Sequence, residues 1–112
     1  MDLKVGAEEK DGISVITCEG IINSETFSAL KDIVEKLVKE DKCKIVVDLT
    51  NIIFISSAGW GVFTGTIEEI RGKKGDIKLV GLKGKVKDVY NTISLNKYIK
   101  SYKNVENAVK DF

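Results

Sequence analysis

The run Lys44–Leu49, Lys-Ile-Val-Val-Asp-Leu, constrains the fold more than any other part of the chain. Three β-branched residues stand in a row, and helical patterns stand on either side. Such a run is a strand covered on both faces, as in a parallel or mixed sheet with helices packed against it. The chain then passes through Thr50-Asn51-Ile52-Ile53-Phe54-Ile55, expected as a loop, into Ser56-Ser57-Ala58-Gly59-Trp60-Gly61-Val62-Phe63, expected as a helix opening.

The neighbours of that strand are legible from periodicity. Leu3 to Glu8 forms a weak first strand ending near Lys10-Asp11-Gly12, and Asp11-Gly12 is a hairpin turn signal. Ile13 to Cys18 alternates as a second strand, with Gly20 ending it. Asn23 or Ser24 offers an N-cap for a helix running to about Glu40, with Phe27, Leu30, Val34, Leu37 and Val38 at helical spacing.

Ser56 or Ser57 caps the next helix, which runs to about Arg71 on Val62, Phe63, Ile67 and Ile70, with Gly72 and Gly75 ending it. Ile77 to Val80 is a further buried strand. Gly84 to Ile93 gives a helix with Val86, Val89, Tyr90 and Ile93 inward. Lys97 to Tyr102 is expected as a last strand. Asn104 caps a short helix carrying Val105, Ala108, Val109 and Phe112. The order β-β-α-β-α-β-α-β-α implies an α/β fold with a mixed sheet of about five strands and about four helices. The opening hairpin supplies the antiparallel pair and right-handed crossovers supply the parallel ones.

The 112 residues suit one domain spanning 1–112, and the 43% apolar content supports a core that needs neither metal nor disulfides. Eighteen basic residues almost balance seventeen acidic ones, which argues against nucleic acid as a partner. The lysines from Lys73 to Lys103 are interrupted by acidic and apolar residues and are expected as a solvated face. Cys18 and Cys43 lie far apart with no Cys-x-x-Cys, so two buried, reduced thiols are expected, with no metal site and no cofactor. Met1-Asp2-Leu3-Lys4 lacks the pattern of a signal peptide, and no segment is long enough to insert directly in a membrane. A reducing cytoplasm is the expected compartment. The chain has no histidine, so a Ser-His-Asp or Cys-His triad is impossible within it and an enzyme is not expected.

The serine turn admits three chemical readings. A nucleophile elbow wants Gly-x-Ser-x-Gly, and no glycine stands two residues before either serine. A dinucleotide fingerprint wants Gly-x-Gly-x-x-Gly, and Gly59-Trp60-Gly61 supplies only its first half, with Gly65 one residue too late. The third reading is a regulated helix start, where hydroxyls sit beside unpaired N–H groups and the positive end of the helix dipole. A phosphate there is tolerated locally while it changes what the surface binds. Simple capping by both serines remains the alternative, and Trp60 suits either a contact patch or the core.

Asp48-Leu49 followed by Ser56-Ser57-Ala58-Gly59-Trp60-Gly61 resembles the signature of the STAS domain, the sulfate-transporter and anti-sigma-factor-antagonist family. Gly20-Ile21-Ile22-Asn23, Gly81-Leu82 with the Val86/Val89 helix, and Val105-Glu106-Asn107-Ala108-Val109 extend the resemblance over nearly the whole chain. It implies a bacterial regulatory protein whose partner is an anti-sigma factor that is also a serine kinase of the histidine-kinase-like ATPase fold. It implies Ser57 as the phosphorylation site, with Ser56 as second choice. The implied partner-binding residues are Asn23, Ser24, Ser56, Ser57, Ala58, Gly59, Trp60 and Gly61. Ser56 and Asn23 stand where the family usually has aspartate, and Trp60 where it has leucine. The alternative implied role is a STAS scaffold subunit, not phosphorylated, in a signalling or membrane-transport complex.

Overall fold

A computed structural model describes residues 2–112. Ten elements follow one another. They are β1 (Leu3–Lys10), β2 (Ile13–Ile22), α1 (Phe27–Lys39), β3 (Lys44–Ile55), α2 (Ser57–Gly72), β4 (Asp76–Val80), α3 (Gly84–Thr92), a 3-10 turn (Leu95–Lys97), β5 (Ser101–Tyr102) and α4 (Val105–Lys110). They build one five-stranded sheet in the order β1-β2-β3-β4-β5. β1 and β2 are antiparallel, and β2 through β5 run parallel. The expected α/β fold, mixed sheet and element order are therefore observed.

Covering on both faces explains the composition of β3. Ile45, Val47 and Leu49 point into the main core with Ile16 and Cys18 of β2, Ile77 and Leu79 of β4, and the apolar faces of α1, α2 and α3. Val46 points the other way, into a smaller cluster with Val15, Val80 and Ala108 of α4. The opposite face is thus closed by one short helix. Asn104 caps that helix as expected, its Oδ1 accepting from Asn107 N–H at 2.9 Å.

Several expected boundaries move. β1 reaches Lys10, beyond Glu8, because its whole length pairs with β2. Gly20 does not end β2: the strand continues to Ile22 through register shifts after Thr17 and Gly20. Gly20 has φ +115°, and a Cβ there would stand 2.0 Å from the Asp2 carbonyl oxygen, so the glycine accommodates a bulge rather than a stop. The segment expected as a loop after Leu49 is strand to Ile55, since the lengthened β2 pairs with it as far as Ile22–Ile55. α1 begins at Phe27 with Thr26 in the cap position, not at Asn23 or Ser24.

α2 runs through Gly72, and the left-handed residue beyond it is Lys74, not a glycine. In α3 only Val86 and Tyr90 are buried; Val89 and Ile93 face outward. The last strand is limited to Ser101–Tyr102, because Leu95–Lys97 coils into a 3-10 turn that buries Leu95.

Candidate functional site

Parallel pairing of β2 and β3 assembles the serine turn. Ile22 and Ile55 are register partners at the ends of their strands. Asn23 and Ser56 follow them directly, and Ser56 N–H donates to the Ile22 carbonyl at 2.8 Å. The Asn23–Thr26 turn and the start of α2 therefore lie side by side at one end of the sheet. The candidate positions far apart in sequence are brought together by strand register.

Each half of the site is fixed locally. Asn23 Oδ1 accepts from Glu25 N–H at 2.9 Å and Thr26 N–H at 3.0 Å, an Asx turn that replaces the expected helix cap. Thr26 Oγ1 locks it from the other side, accepting from Asn23 N–H and donating to the Ile21 carbonyl. Ser24 is exposed on this turn. Ser56 is the N-cap of α2: its backbone is extended, and its Oγ accepts from Gly59 N–H at 3.4 Å. Ser57 is the first helical residue, exposed, with its hydroxyl outside that cap. The two adjacent serines thus have different jobs, one structural and one open to solvent.

The residues behind the serines are core. Gly59 is buried, and a Cβ on it would stand 2.6 Å from an Ile22 methyl and 2.7 Å from an Ile55 methyl, so the helix start sits directly on the strand ends. Gly61 faces open space instead. Trp60 is only 4% exposed, packed edge-on to Phe63 and tilted over Tyr90. Trp60 and Gly59 thus lie beneath the exposed residues of the turn and support them from below. Ser24, Ser57 and Gly61 are exposed, and Asn23, Ser56 and Ala58 are half-buried.

Two apolar side chains beside the turn were missed by sequence reasoning. Ile53 is 62% and Phe54 52% exposed, on the segment read as a loop. Their signal was a run of four large apolar residues, Ile52 to Ile55, between turn-forming Asn51 and the serines, of which pairing buries only Ile52 and Ile55. Lys78, expected on a solvated face, is instead 5% exposed. Its ammonium donates to the Asp111 carbonyl at 2.7 Å and to Tyr102 Oη at 3.2 Å, over the rings of Tyr102 and Phe112. Among the described residues no cluster of metal-ligating side chains occurs, and no helix is long and apolar enough to cross a membrane.

A family model described as the STAS domain matches residues 4–108. The chain belongs to the STAS domain family. An anti-sigma-B factor antagonist of Listeria monocytogenes is 26% identical over 107 residues, covering 95% of this chain and 93% of the relative. Among solved structures, an anti-sigma factor antagonist from Mycobacterium paratuberculosis superposes with a TM-score of 0.90 at 23% identity, covering 98% of this chain and 93% of that one. The Bacillus cell fate determinant SpoIIAA in its phosphorylated form gives a TM-score of 0.75 at 15% identity, over 96% of this chain and 98% of that one. At these identities the two structural likenesses concern the fold.

Proposed function

We propose that this protein is an anti-sigma factor antagonist acting in the bacterial cytoplasm. It is a regulatory binding module rather than an enzyme, and it pairs with an anti-sigma factor that is a serine kinase of the histidine-kinase-like ATPase fold. Phosphorylation of Ser57 ends the pairing. The observation that carries this reading is the division of labour at the start of α2. Ser56 spends its oxygen on the helix cap, which leaves the Ser57 hydroxyl exposed at the first helical position.

The N-terminal dipole and unpaired N–H groups favour a phosphate at Ser57, so the fold survives the modification. A surface that docks around a neutral hydroxyl then meets about −1.5 to −2 charge. The names of the bacterial relatives support the choice of partner class. Ile53 and Phe54 supply apolar contact area beside the turn.

The test is binding of purified protein to candidate anti-sigma kinases by calorimetry. Ser57→Asp is expected to weaken the complex by at least about tenfold, from like-charge or desolvation penalties of the usual size, while Ser57→Ala keeps it. If Ser57→Asp binds every candidate as well as the wild type, the switch reading is wrong.

A second reading rests on Ser56 and Asn23, which bring no carboxylate to the acceptor. On it the protein is a scaffold subunit of a signalling or membrane-transport complex, not phosphorylated. Phosphosite mass spectrometry on protein from native cells separates the two, since phosphate on Ser57 excludes the scaffold reading.

A further inference from the structure

Charge is distributed unevenly along the chain. Up to Gly72 there are thirteen acidic and eight basic residues, and after it ten basic and four acidic ones. Because strand order follows chain order, that imbalance becomes a gradient across the molecule. The acidic excess lies toward the β1–β2 side and the basic excess toward the β4–β5 edge.

The basic edge is concave. An open groove of about 500 Å³ lies where β4 and β5 end, with Lys83, Lys87 and Lys103 on its walls and Leu82, Ser101 and Tyr102 between them. The three lysines come from three places, the β4–α3 connection, the first turns of α3 and the β5–α4 connection. Among the described residues none of them forms an ion pair, whereas Lys73, Lys78 and Lys100 do. The groove lining contains no carboxylate. Asp48, the nearest acid in sequence to Thr50, is half-buried and accepts from Thr50 Oγ1 at 2.6 Å and Thr50 N–H at 3.0 Å.

A second depression of about 350 Å³ shares Thr50 and Lys83 with the first. It continues past Ile52 to the exposed Ile53, with Glu19 as its one carboxylate. The two join into a trough across the carboxyl ends of the strands, basic at one end and apolar at the other.

The geometry points to this trough as a docking site for an extended acidic peptide segment of a partner protein, with carboxylates along Lys83, Lys87 and Lys103 and an apolar residue toward Ile53. Three separated unpaired ammonium groups suit charges spaced along a chain better than one compact anion. A concave trough suits a chain better than a flat membrane surface, which would need the lysines and apolar side chains on a convex face. The basic half of the site lies on other elements than the serine turn, and Ile53 is the one residue it shares with the contact surface proposed above.

The experiment is fluorescence anisotropy of a fluorescein-labelled peptide of Asp and Glu residues ending in Leu-Phe. The wild type is expected to bind saturably, with affinity falling as salt rises. The triple change Lys83→Glu, Lys87→Glu, Lys103→Glu is expected to weaken binding by at least about tenfold, the usual reach of rim charge reversal. The control triple Lys31→Glu, Lys36→Glu, Lys39→Glu carries the same charge change on α1 and is expected to bind within about twofold of wild type.

Lys87→Gln alone, on the exposed side of α3, guards against a folding artefact and is expected to weaken binding a few-fold. Three outcomes would overturn the proposal: no saturable binding, equal loss in both triples, or vesicles of phosphatidylserine and phosphatidylcholine binding the wild type without competition from the peptide.

Discussion

At the residue scale, the two glycines of the serine turn separate two physical demands that look alike in sequence. Both lower helix propensity by about 1 kcal/mol relative to alanine. Gly59 is required by space, because a Cβ on it would collide with methyls of Ile22 and Ile55. Gly61 meets no such neighbour. Gly59→Ala is therefore expected to destabilise the fold by about 1–3 kcal/mol through overpacking, and Gly61→Ala to stabilise it by about 0.5–1 kcal/mol. Urea unfolding monitored by circular dichroism measures both. Equal effects of the same sign would show that the helix start is not seated on the strand ends as described.

Trp60 carries a related lesson. Its ring fills the core, yet its indole Nε1 finds no hydrogen-bond partner among the described residues. Burying an unpaired donor costs about 1–3 kcal/mol, and the ring's packing on Phe63 and Tyr90 must outweigh it. A sequence displays an aromatic near a helix start but not which side of the helix rests on the sheet, so Trp60 was readable as contact or core with equal justice.

At the element scale, the least expected construction is the fastening of α4. This short helix is the main cover of the second face of the sheet, and the buried Lys78 ties its end down through Asp111 and Tyr102. The hydrogen bond from Tyr102, followed by the Lys78 ammonium, lowers the Asp111 carboxyl below its usual range. Burial, then the bond to Asp111, raises the Tyr102 phenol.

A carboxyl depressed on folding contributes stability above its unfolded value of about 3.9 and loses it as pH falls through the folded value. A phenol raised on folding contributes below about 10 and loses it as pH rises. Thermal unfolding of Asp111→Asn against wild type should therefore show a gap near about pH 7 that shrinks by about pH 3. A gap independent of pH would remove the carboxylate from the account. Lys78→Met should cost about 1–3 kcal/mol, since the Asp111 carbonyl and the Tyr102 hydroxyl lose the buried donor that ties α4 down.

The same scale shows what could be read beforehand. Strands and helices with regular periodicity, α1 and α2 above all, were legible because one face meets the core throughout. The second half of β3 was not, because Thr50 and Asn51 carry turn propensity that long-range pairing with β2 overrides. Gly20 was misread for the same reason: a glycine signals a break, and only the partner strand decides between a stop and a bulge. Strand register was equally invisible, although it is what sets Asn23 beside Ser56.

At the scale of the whole molecule, the two thiols report on how cooperatively these layers hold together. Cys18 sits midway along β2 in the main core, and Cys43 lies just before β3, its carbonyl accepting from Asp76 N–H at 2.9 Å. Burial, with Asp48 adding to it, pushes the Cys18 thiol up to about 12, so the nucleophilic thiolate is scarce in the folded protein at neutral pH. Cys43 is buried as well. Both belong to one contiguous apolar cluster, so both should become reactive in the same unfolding event.

Native protein treated with dithionitrobenzoate is expected to react at least about a thousandfold more slowly than the unfolded chain, given an ordinary domain stability of about 5–15 kcal/mol. Both cysteines should respond to urea with a common slope and midpoint, read by mass spectrometry of the labelled peptides. Rapid, urea-independent labelling of Cys43 would instead mean that the start of β3 opens separately from the sheet. The main core would then be two cooperative units, divided between the ends of the strands that carry the serine turn and the ends that do not.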